Sequence, residues 1–263
     1  MKRYTVIAVL ALLLGMSSMT YAGAQLADTR HIYNESNSAY EDLREQVKAS
    51  AAAGPQTPPE KPGAEAPPAE TPRVDIPELG IDFGALRAVN QDAAAWLYGP
   101  GTVIDYPVMK ADDYNYYLNY LPDGTRNANG SLFIDYNSAP GFTGRLTVVY
   151  GHNMKSEKMF GTLTKYKNQK YYDEHPYMYL YTEQGNYRID LMYGCVIGAG
   201  KWREQAFMFE VNAGALLSYA AHNTTFSSGV KYDDGDRIIA LSTCSYEFDD
   251  ARFIVIGVIR DEY

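Results

Sequence analysis

From residue 102 to residue 260 the chain is a succession of short apolar runs separated by turn-forming residues. Runs of this length, rich in β-branched and aromatic residues, are typical of β-strands. Several are apolar at nearly every position, as expected of strands that are buried on both faces or that close a barrel. We therefore predict strands in TVIDYPVM, GSLFIDYN, RLTVVYG, YMYLYT, NYRIDLMYGCVI, DRIIALSTC and RFIVIGVIR.

Two further segments carry a helical pattern. Residues 81–101 are predicted to form one or two short helices, because Phe83, Leu86 and Val89 fall on one face. The stretch FEVNAGALLSYAAHN, residues 209–223, is also helix-like and interrupts the strands before the last two. The predicted fold is therefore mostly β, a closed barrel with N-terminal helices and one helical insertion.

The N-terminus suggests export. Lys2 and Arg3 precede an uncharged run at residues 4–24. About 20 apolar residues can span a bilayer, and preceding basic residues keep the N-terminus cytoplasmic. The small residues of TYAGA are equally compatible with cleavage by a signal peptidase. Residues 1–24 are thus predicted to be a membrane anchor or a signal segment. The remainder would lie on the extracellular face of the cell membrane or be secreted.

Between this segment and the barrel lies a region with no strand pattern. Residues 25–53 suit a helix, with Tyr40, Leu43 and Val47 at helical spacing, and are predicted to be a helical stalk. Residues 54–72 hold seven of the chain's 13 prolines. Proline fixes φ and removes a backbone donor, so this segment is predicted to be an extended linker. The globular domain is expected to span residues 73–263.

Composition excludes several classes of function. The net charge of −9 argues against a nucleic-acid partner, because phosphate binding needs a basic face. No glycine-rich phosphate loop and no Cys/His pattern with zinc spacing is present in the sequence. The paired aspartates at residues 233–234 and 249–250 lack the spacing of a calcium loop. We therefore predict no metal and no cofactor.

The stretch LSTCSYEFDDAR, residues 241–252, is the strongest functional signal. Cys244 ends one predicted strand and Arg252 opens the next. If these strands pair as antiparallel neighbours, the intervening loop returns the chain so that both side chains meet at one edge of the sheet. A thiol with an ordinary pKa of about 8.5 is mostly protonated at neutral pH, and a nearby cation favours the nucleophilic thiolate. Arginine can also stabilise the oxyanion that forms when a thiolate attacks a carbonyl.

Cysteine chemistry on an amide also needs a proton donor for the leaving amine, and histidine usually supplies it. Of the four histidines, His152 follows a buried strand that breaks at a glycine, where a barrel can present a reactive side chain. His31 is predicted to lie outside the domain, His175 in a loop, and His222 at the end of a helix. Cys195 lies mid-strand among apolar neighbours and is predicted to be a buried free thiol.

These residues carry a family resemblance. VVYGHNM, then LSTC, then an arginine at the start of the next strand resembles the sortases, cysteine transpeptidases of Gram-positive cell surfaces. The family pattern before the cysteine is Thr-Leu-x-Thr-Cys; Ala240 departs from its first position, whereas Leu241, Thr243 and Cys244 match. IDFGALRAVNQDAAAWL, GTVIDYPV, GSLFIDYN and the helical insertion are similar to the class B branch.

The resemblance implies a sortase-like barrel and a defined reaction. Cys244 would attack a carbonyl in a C-terminal sorting motif of a secreted protein and form a thioester. His152 would protonate the departing amine, and Arg252 would hold the oxyanion or the substrate backbone. Ser242 matches a position that contacts substrate in class B sortases, the alternative being a hydroxyl satisfied within the strand, and Thr243 is assigned to substrate binding beside it. A peptidoglycan amine would then accept the acyl group. Alternatives are a pilin-polymerising sortase, or a non-catalytic exported module that binds peptides.

Overall fold

The computed structural model describes residues 2–52, 76–110, 112–206 and 209–261. Side chains are described in these ranges except at residues 2–13, 49–52, 205–206 and 209–212. Within these ranges the chain forms eight strands: β1 (Ala93–Tyr98), β2 (Asp105–Lys110), β3 (Leu132–Ile134), β4 (Leu146–Tyr150), β5 (Tyr177–Thr182), β6 (Gly185–Gly198), β7 (Arg237–Cys244) and β8 (Ala251–Asp261).

The strands close into a barrel in the order β1-β2-β3-β4-β7-β8-β6-β5. Most neighbours are antiparallel, but β2 pairs with β3 and β4 pairs with β7 in parallel. The helices of the described residues are α1 (Lys2–Ala52), α2 (Phe83–Val89), α3 (Tyr116–Asn119), α4 (Gln169–Glu174), α5 (Ala199–Ala206) and α6 (Phe209–Asn223). The prediction of a mostly β, closed barrel is confirmed.

Strands β7 and β8 are apolar at nearly every position because both of their faces are covered. In β7, Ile239 and Leu241 belong to the core inside the barrel. Ile238 and Ala240 point to the outer face, where the cluster includes Leu216 of α6. Burying one such aliphatic side chain contributes about 1.5–3 kcal/mol. Helix α6 is therefore the second layer that these strands require, and α5 and α6 together form the predicted insertion.

One sequence prediction is wrong in part. One or two short helices were expected in residues 81–101, and Phe83–Val89 is indeed helix α2, capped by the Asp82 carboxylate, which accepts from the amide of Ala85. Residues 93–98, however, form strand β1, which pairs with both β2 and β5 and thereby closes the barrel. Alanine has the highest helix propensity, but its advantage is below about 1 kcal/mol per residue over most others, and the pairing of both strand edges outweighs that preference.

Helix α1 packs on the barrel over its second half. Tyr40, Leu43 and Val47, the residues at helical spacing, are all buried. Leu43 and Val47 belong to a cluster that also contains Trp96 of β1. The Tyr40 hydroxyl donates to the carbonyl oxygen of Gly130 at 2.7 Å. The apolar stripe of this helix is thus an attachment face.

Polar contacts reinforce this attachment. Arg44 and Lys48 both lie within 3.5 Å of the Asp105 carboxylate at the start of β2. Nearer the N-terminus, the Asn127 amide donates to the Glu35 carboxylate at 2.8 Å. A stalk that stands away from the domain would not make these contacts. The division into a stalk at residues 25–53 and a domain at 73–263 remains a prediction from composition.

The two N-terminal predictions fall partly or wholly beyond the described part of the chain. The predicted linker at residues 54–72 lies outside the described residues. The predicted anchor or signal segment includes residues 1–13, whose side chains also lie outside them. In the part of the chain that is described, no helix is sufficiently long and apolar to cross a membrane.

Candidate active site

Three adjacent strands, β4, β7 and β8, bring the predicted catalytic residues to one edge of the barrel. β4 and β7 run parallel with Tyr150 level with Ser242. Continuing this register by two residues places His152, just after β4, beside Cys244. β7 and β8 are antiparallel, and Cys244 lies directly opposite Arg252. Because adjacent strands are about 4.8 Å apart, we expect Cys244 to lie between His152 and Arg252 at this edge.

Gly151 allows the chain to leave β4 at this point. A Cβ atom there would lie 2.4 Å from the Leu132 side chain and 2.7 Å from that of Phe160. The Gly151 amide still donates to the carbonyl oxygen of Ser242 at 3.2 Å. The backbone therefore stays beside β7 in a crowded space that only glycine fits, and the next residue, His152, emerges at the edge.

The imidazole of His152 is half-buried and held by the backbone. Its Nε2 atom lies 2.9 Å from the carbonyl oxygen of Leu118. A carbonyl oxygen can only accept a hydrogen bond, so this contact places a proton on Nε2. In the neutral ring, Nδ1 is then the basic nitrogen. The arrangement leaves Nδ1 to exchange a proton with a thiol or an amine.

Two side-chain hydrogen bonds fasten the His152 segment to the Cys244 strand. The Thr243 hydroxyl donates to the carbonyl oxygen of Gly151 at 2.7 Å. The Asn153 amide donates to the carbonyl oxygen of Cys244 at 2.8 Å. Asn153 was not singled out from the sequence; its position directly after a candidate histidine was the available signal. Both bonds fix the backbone on either side of the two reactive side chains.

Ser242 and Thr243 face opposite sides of β7, because successive side chains of a strand alternate. Ser242 shares the outer face with Cys244, and its buried hydroxyl has no hydrogen-bond partner among the described residues. Thr243 is buried toward the barrel interior, where its hydroxyl bonds to Gly151. The contact between Thr243 and substrate stays a prediction.

The Arg252 guanidinium is half-buried, and its Nη1 donates to the carbonyl oxygen of Ala251 at 3.0 Å. Asp249 and Asp250 lie three and two residues before Arg252 in the sequence, and a carboxylate paired with Arg252 would compete with an oxyanion. No ion pair of Arg252 with either carboxylate is found among the described residues. Arginine carries five N–H donors, so several remain for an oxyanion.

The two cysteines differ sharply. Both are free. Cys195 is fully buried in β6, and burial raises the pKa of its thiol to about 12. Cys244 is partly exposed at the strand end. A thiol that stays protonated and buried cannot attack a peptide, so Cys244 is the candidate nucleophile.

The other three histidines lie away from this edge. His31 is exposed on α1. His175 follows α4, with Nδ1 lying 3.0 Å from the carbonyl oxygen of Pro100. His222, in the last turn of α6, bonds to the carbonyl oxygen of Ser218. Only His152 adjoins the strand of Cys244 among the described residues.

A polar cluster of Lys167, Ser245 and Glu247, at the loop that follows Cys244, was not predicted from the sequence. Lys167 donates to the hydroxyl of Ser245, the residue after the nucleophile, at 2.9 Å, and also pairs with the Glu247 carboxylate. Burial opposes ionisation of Glu247, but hydrogen bonds from Lys167 and Ser245 outweigh it and lower the pKa of Glu247. The cluster ties down the loop that joins Cys244 to Arg252. Lys167 lies 77 residues from Cys244, and no local pattern connects the two.

Comparison with known proteins agrees with this geometry. Residues 97–260 match the model of the sortase domain. The sequence is 31% identical over 184 residues to sortase B of Listeria monocytogenes, an alignment that covers 68% of this chain and 74% of the relative. The chain therefore belongs to the sortase family.

Solved structures specify the branch. The chain matches sortase B of Clostridium perfringens with a TM-score of 0.63 and 26% identity, covering 68% of this chain and 99% of that one. It also matches a class B sortase of Streptococcus pyogenes involved in pilus biogenesis, with a TM-score of 0.62 and 27% identity, covering 69% and 99%. The protein is thus a class B sortase, a cysteine transpeptidase, which argues against the non-catalytic alternative.

Proposed function

We propose that Cys244, His152 and Arg252 carry out transpeptidation through a thioester. The Cys244 thiolate attacks the scissile carbonyl of a bound peptide, and the Cys244 sulfur–carbon bond forms as the peptide C–N bond breaks. His152 accepts the thiol proton of Cys244 on Nδ1, and then gives that proton to the departing amine. The product is an acyl-enzyme, in which the N-terminal part of the peptide is held as a thioester.

The second half of the reaction reverses these roles. An incoming amine attacks the thioester carbonyl, His152 accepts the proton that the amine loses, and sulfur departs as thiolate. Arg252 stabilises the oxyanion in both halves through its N–H donors. The observation that supports this proposal most is the register of β7 and β8, in which Cys244 is opposite Arg252, together with the hydrogen bond from the Asn153 amide, next to His152, to the carbonyl oxygen of Cys244.

The substrate proposed is the C-terminal sorting motif of a secreted protein. The motifs around Cys244 and the 31% identity to a sortase B support this class of substrate. The contact of Ser242 with substrate stays a prediction, because its hydroxyl is buried, although it lies two positions from Cys244 on the same face of β7.

The amine acceptor is proposed to be an amino group of peptidoglycan, which would anchor the substrate protein to the wall. A lysine of a pilin subunit is the second candidate. It is favoured by the 27% identity to a class B sortase involved in pilus biogenesis. Either acceptor requires an exported enzyme, in keeping with the apolar N-terminal run and the basic residues that precede it. We propose that this run tethers the enzyme to the membrane.

Mass spectrometry of the full chain tests these proposals. The protein is incubated with a panel of candidate sorting peptides, and the mass of the thioester adduct is sought in the wild type, Cys244→Ala and Cys195→Ala. We expect the adduct in the wild type and in Cys195→Ala but not in Cys244→Ala. An adduct that persists without Cys244 would disprove the assigned nucleophile. Adding a peptidoglycan stem peptide or a lysine-containing pilin peptide then shows which amine releases the acyl group.

A further inference from the structure

A buried carboxylate that lies next to strand β4 has no role in the proposed reaction. Asp135 directly follows β3 and is 2% exposed. Its carboxylate accepts hydrogen bonds from the hydroxyls of Tyr150 at 2.8 Å and Tyr114 at 3.0 Å. It also accepts from the backbone amide of Asn137 at 2.9 Å. Among the described residues no lysine, arginine or histidine forms an ion pair with it.

Burying a carboxylate is costly unless hydrogen bonds compensate for the lost water. Here two tyrosine hydroxyls and a backbone amide supply that compensation. Burial, and then the negative charge of Asp135, raise the pKa of both Tyr150 and Tyr114. Both phenols therefore stay protonated at neutral pH and keep donating. The carboxylate is the shared acceptor of two donors from different parts of the fold.

Each tyrosine belongs to a segment that contacts His152. Tyr150 ends β4, two residues before His152. Tyr114 precedes α3, four residues before Leu118, whose carbonyl oxygen takes the hydrogen bond from Nε2 of His152. The strand that carries the imidazole and the segment that orients it are thus fastened to one carboxylate. Their rings also touch, with centroids 6.0 Å apart at a near-perpendicular angle.

We infer that Asp135 is a positioning residue for His152, acting through Tyr150 and Tyr114 to hold the imidazole with its proton on Nε2 and Nδ1 toward Cys244. This inference rests on the proposed acid/base role of His152. A displacement of about 1 Å in a catalytic group can reduce the rate about 100-fold. Loosening either segment would allow such a displacement without removing any reacting atom.

Kinetics of the full chain provide the first test. Asp135→Asn keeps the shape of the side chain but removes its charge and replaces one acceptor by a donor. We expect kcat for peptide cleavage to fall about 10–100-fold with KM changed less than about threefold. Tyr150→Phe and Tyr114→Phe, which remove one hydroxyl each, should show smaller falls. The double variant Asp135→Asn, Tyr150→Phe should lose little more kcat than Asp135→Asn alone, because both substitutions break the same hydrogen bond.

Tyr181→Phe is the matched control. The Tyr181 hydroxyl makes a hydrogen bond of similar length, 2.7 Å, to the carbonyl oxygen of Pro77. It lies on β5, on the side of the barrel opposite β4. Its kcat should stay within about twofold of wild type. A loss equal to that of Asp135→Asn would indicate a general effect of barrel stability and would overturn the inference.

Nitrogen NMR of the His152 ring gives a readout that does not depend on activity. In the wild type the ring should be mainly the tautomer with the proton on Nε2. In Asp135→Asn both tautomers should be populated, whereas Tyr181→Phe should match the wild type. If Asp135→Asn fails to fold, the same measurement on the two tyrosine variants decides the question. An unchanged tautomer with unchanged kcat in the folded variants would refute the positioning role.

The two proposals can fail separately. If the wild type cleaves no sorting peptide but the tautomer responds to Asp135→Asn, the proposed substrate is wrong and the positioning role stands. If cleavage requires His152 but neither the tautomer nor kcat responds, the proposed function stands and the role of Asp135 is purely structural.

Discussion

Cys195 and Cys244 lie on the same outer face of the barrel, yet only one of them can react. Ser242 of β7, Ile254 of β8 and Cys195 of β6 form one row across three paired strands. Cys244 lies in the next row, opposite Arg252. Cys195 and Ile254 of the first row belong to the cluster that contains Leu216 of α6, whereas Cys244 is partly exposed. Moving by two residues along a strand thus changes both the exposure of the side chain and the identity of its neighbour.

The strongest test of this comparison exchanges each cysteine for alanine. Cys244→Ala should reduce kcat/KM for a sorting peptide by at least about 10⁴-fold, because no other group can form the thioester. Cys195→Ala should retain activity within a few-fold. Peptide cleavage followed by liquid chromatography measures both. Comparable losses of kcat/KM in the two variants would show that the position of a cysteine on this face does not decide whether it is needed for catalysis.

Alkylation should separate the two thiols by about 10³-fold or more in rate. The thiolate is the reacting form, and burial raises the pKa of Cys195 to about 12. At pH 8 this thiol remains protonated as well as covered, whereas Cys244 is partly exposed. Iodoacetamide followed by peptide mapping should label Cys244 first and Cys195 only on unfolding or as the pH approaches 12. Early labelling of Cys195 in the native protein would contradict its burial.

His152→Ala should lower kcat by about 10²–10⁴-fold, the usual contribution of general acid–base catalysis. The nucleophile and the arginine remain, so the residual activity should exceed that of Cys244→Ala. His222→Ala is the control, since His222 is exposed at the end of α6. Steady-state kinetics on both variants decide the matter. Normal turnover in His152→Ala would move the acid/base role to another group.

Arg252→Lys should cause the smallest of these losses, about 10²–10³-fold in kcat, comparable to removing an oxyanion donor. Lysine keeps the positive charge but loses the planar fork of donors. Arg237→Lys, at the start of β7, where Arg237 pairs with Asp261, provides a control for exchanging arginine on the same sheet. If Arg252→Lys turns over normally, charge alone is sufficient at this position.

The parts of the fold that could be predicted from the sequence are those whose local pattern and tertiary environment agree. β5 through β8 are long apolar runs between turns, and helix α6 has the predicted bounds. Strand β1 was missed because its alanines suit a helix locally, and only pairing with β2 and β5 makes it a strand. Helix α1 was predicted, but that its apolar stripe contacts the barrel depends on distant residues.

The candidate site divides in the same way. Cys244 and Arg252 could be associated because a short loop joins two predicted strands, and His152 because a glycine ends its strand. Asp135 and Lys167 could not be predicted as part of the site. The contact of Asp135 with Tyr150 and that of Lys167 with Ser245 depend on strand order and on loop conformations, which have no sequence signature. Thr243 matched a motif, and the alternation of the strand then turned it inward.

Because α1 is attached to the barrel, the proline-rich segment connects two points that lie close together. The carbonyl oxygen of Val47, near the end of the helix, accepts a hydrogen bond from the amide of Asp82, so the chain departs from and returns to one neighbourhood of the barrel. A connection of this kind closes a loop. Each doubling of the length of a flexible loop costs only about 0.6 kcal/mol in closure entropy. Insertions or deletions of several residues at positions 54–72 should therefore leave α1 attached to the barrel.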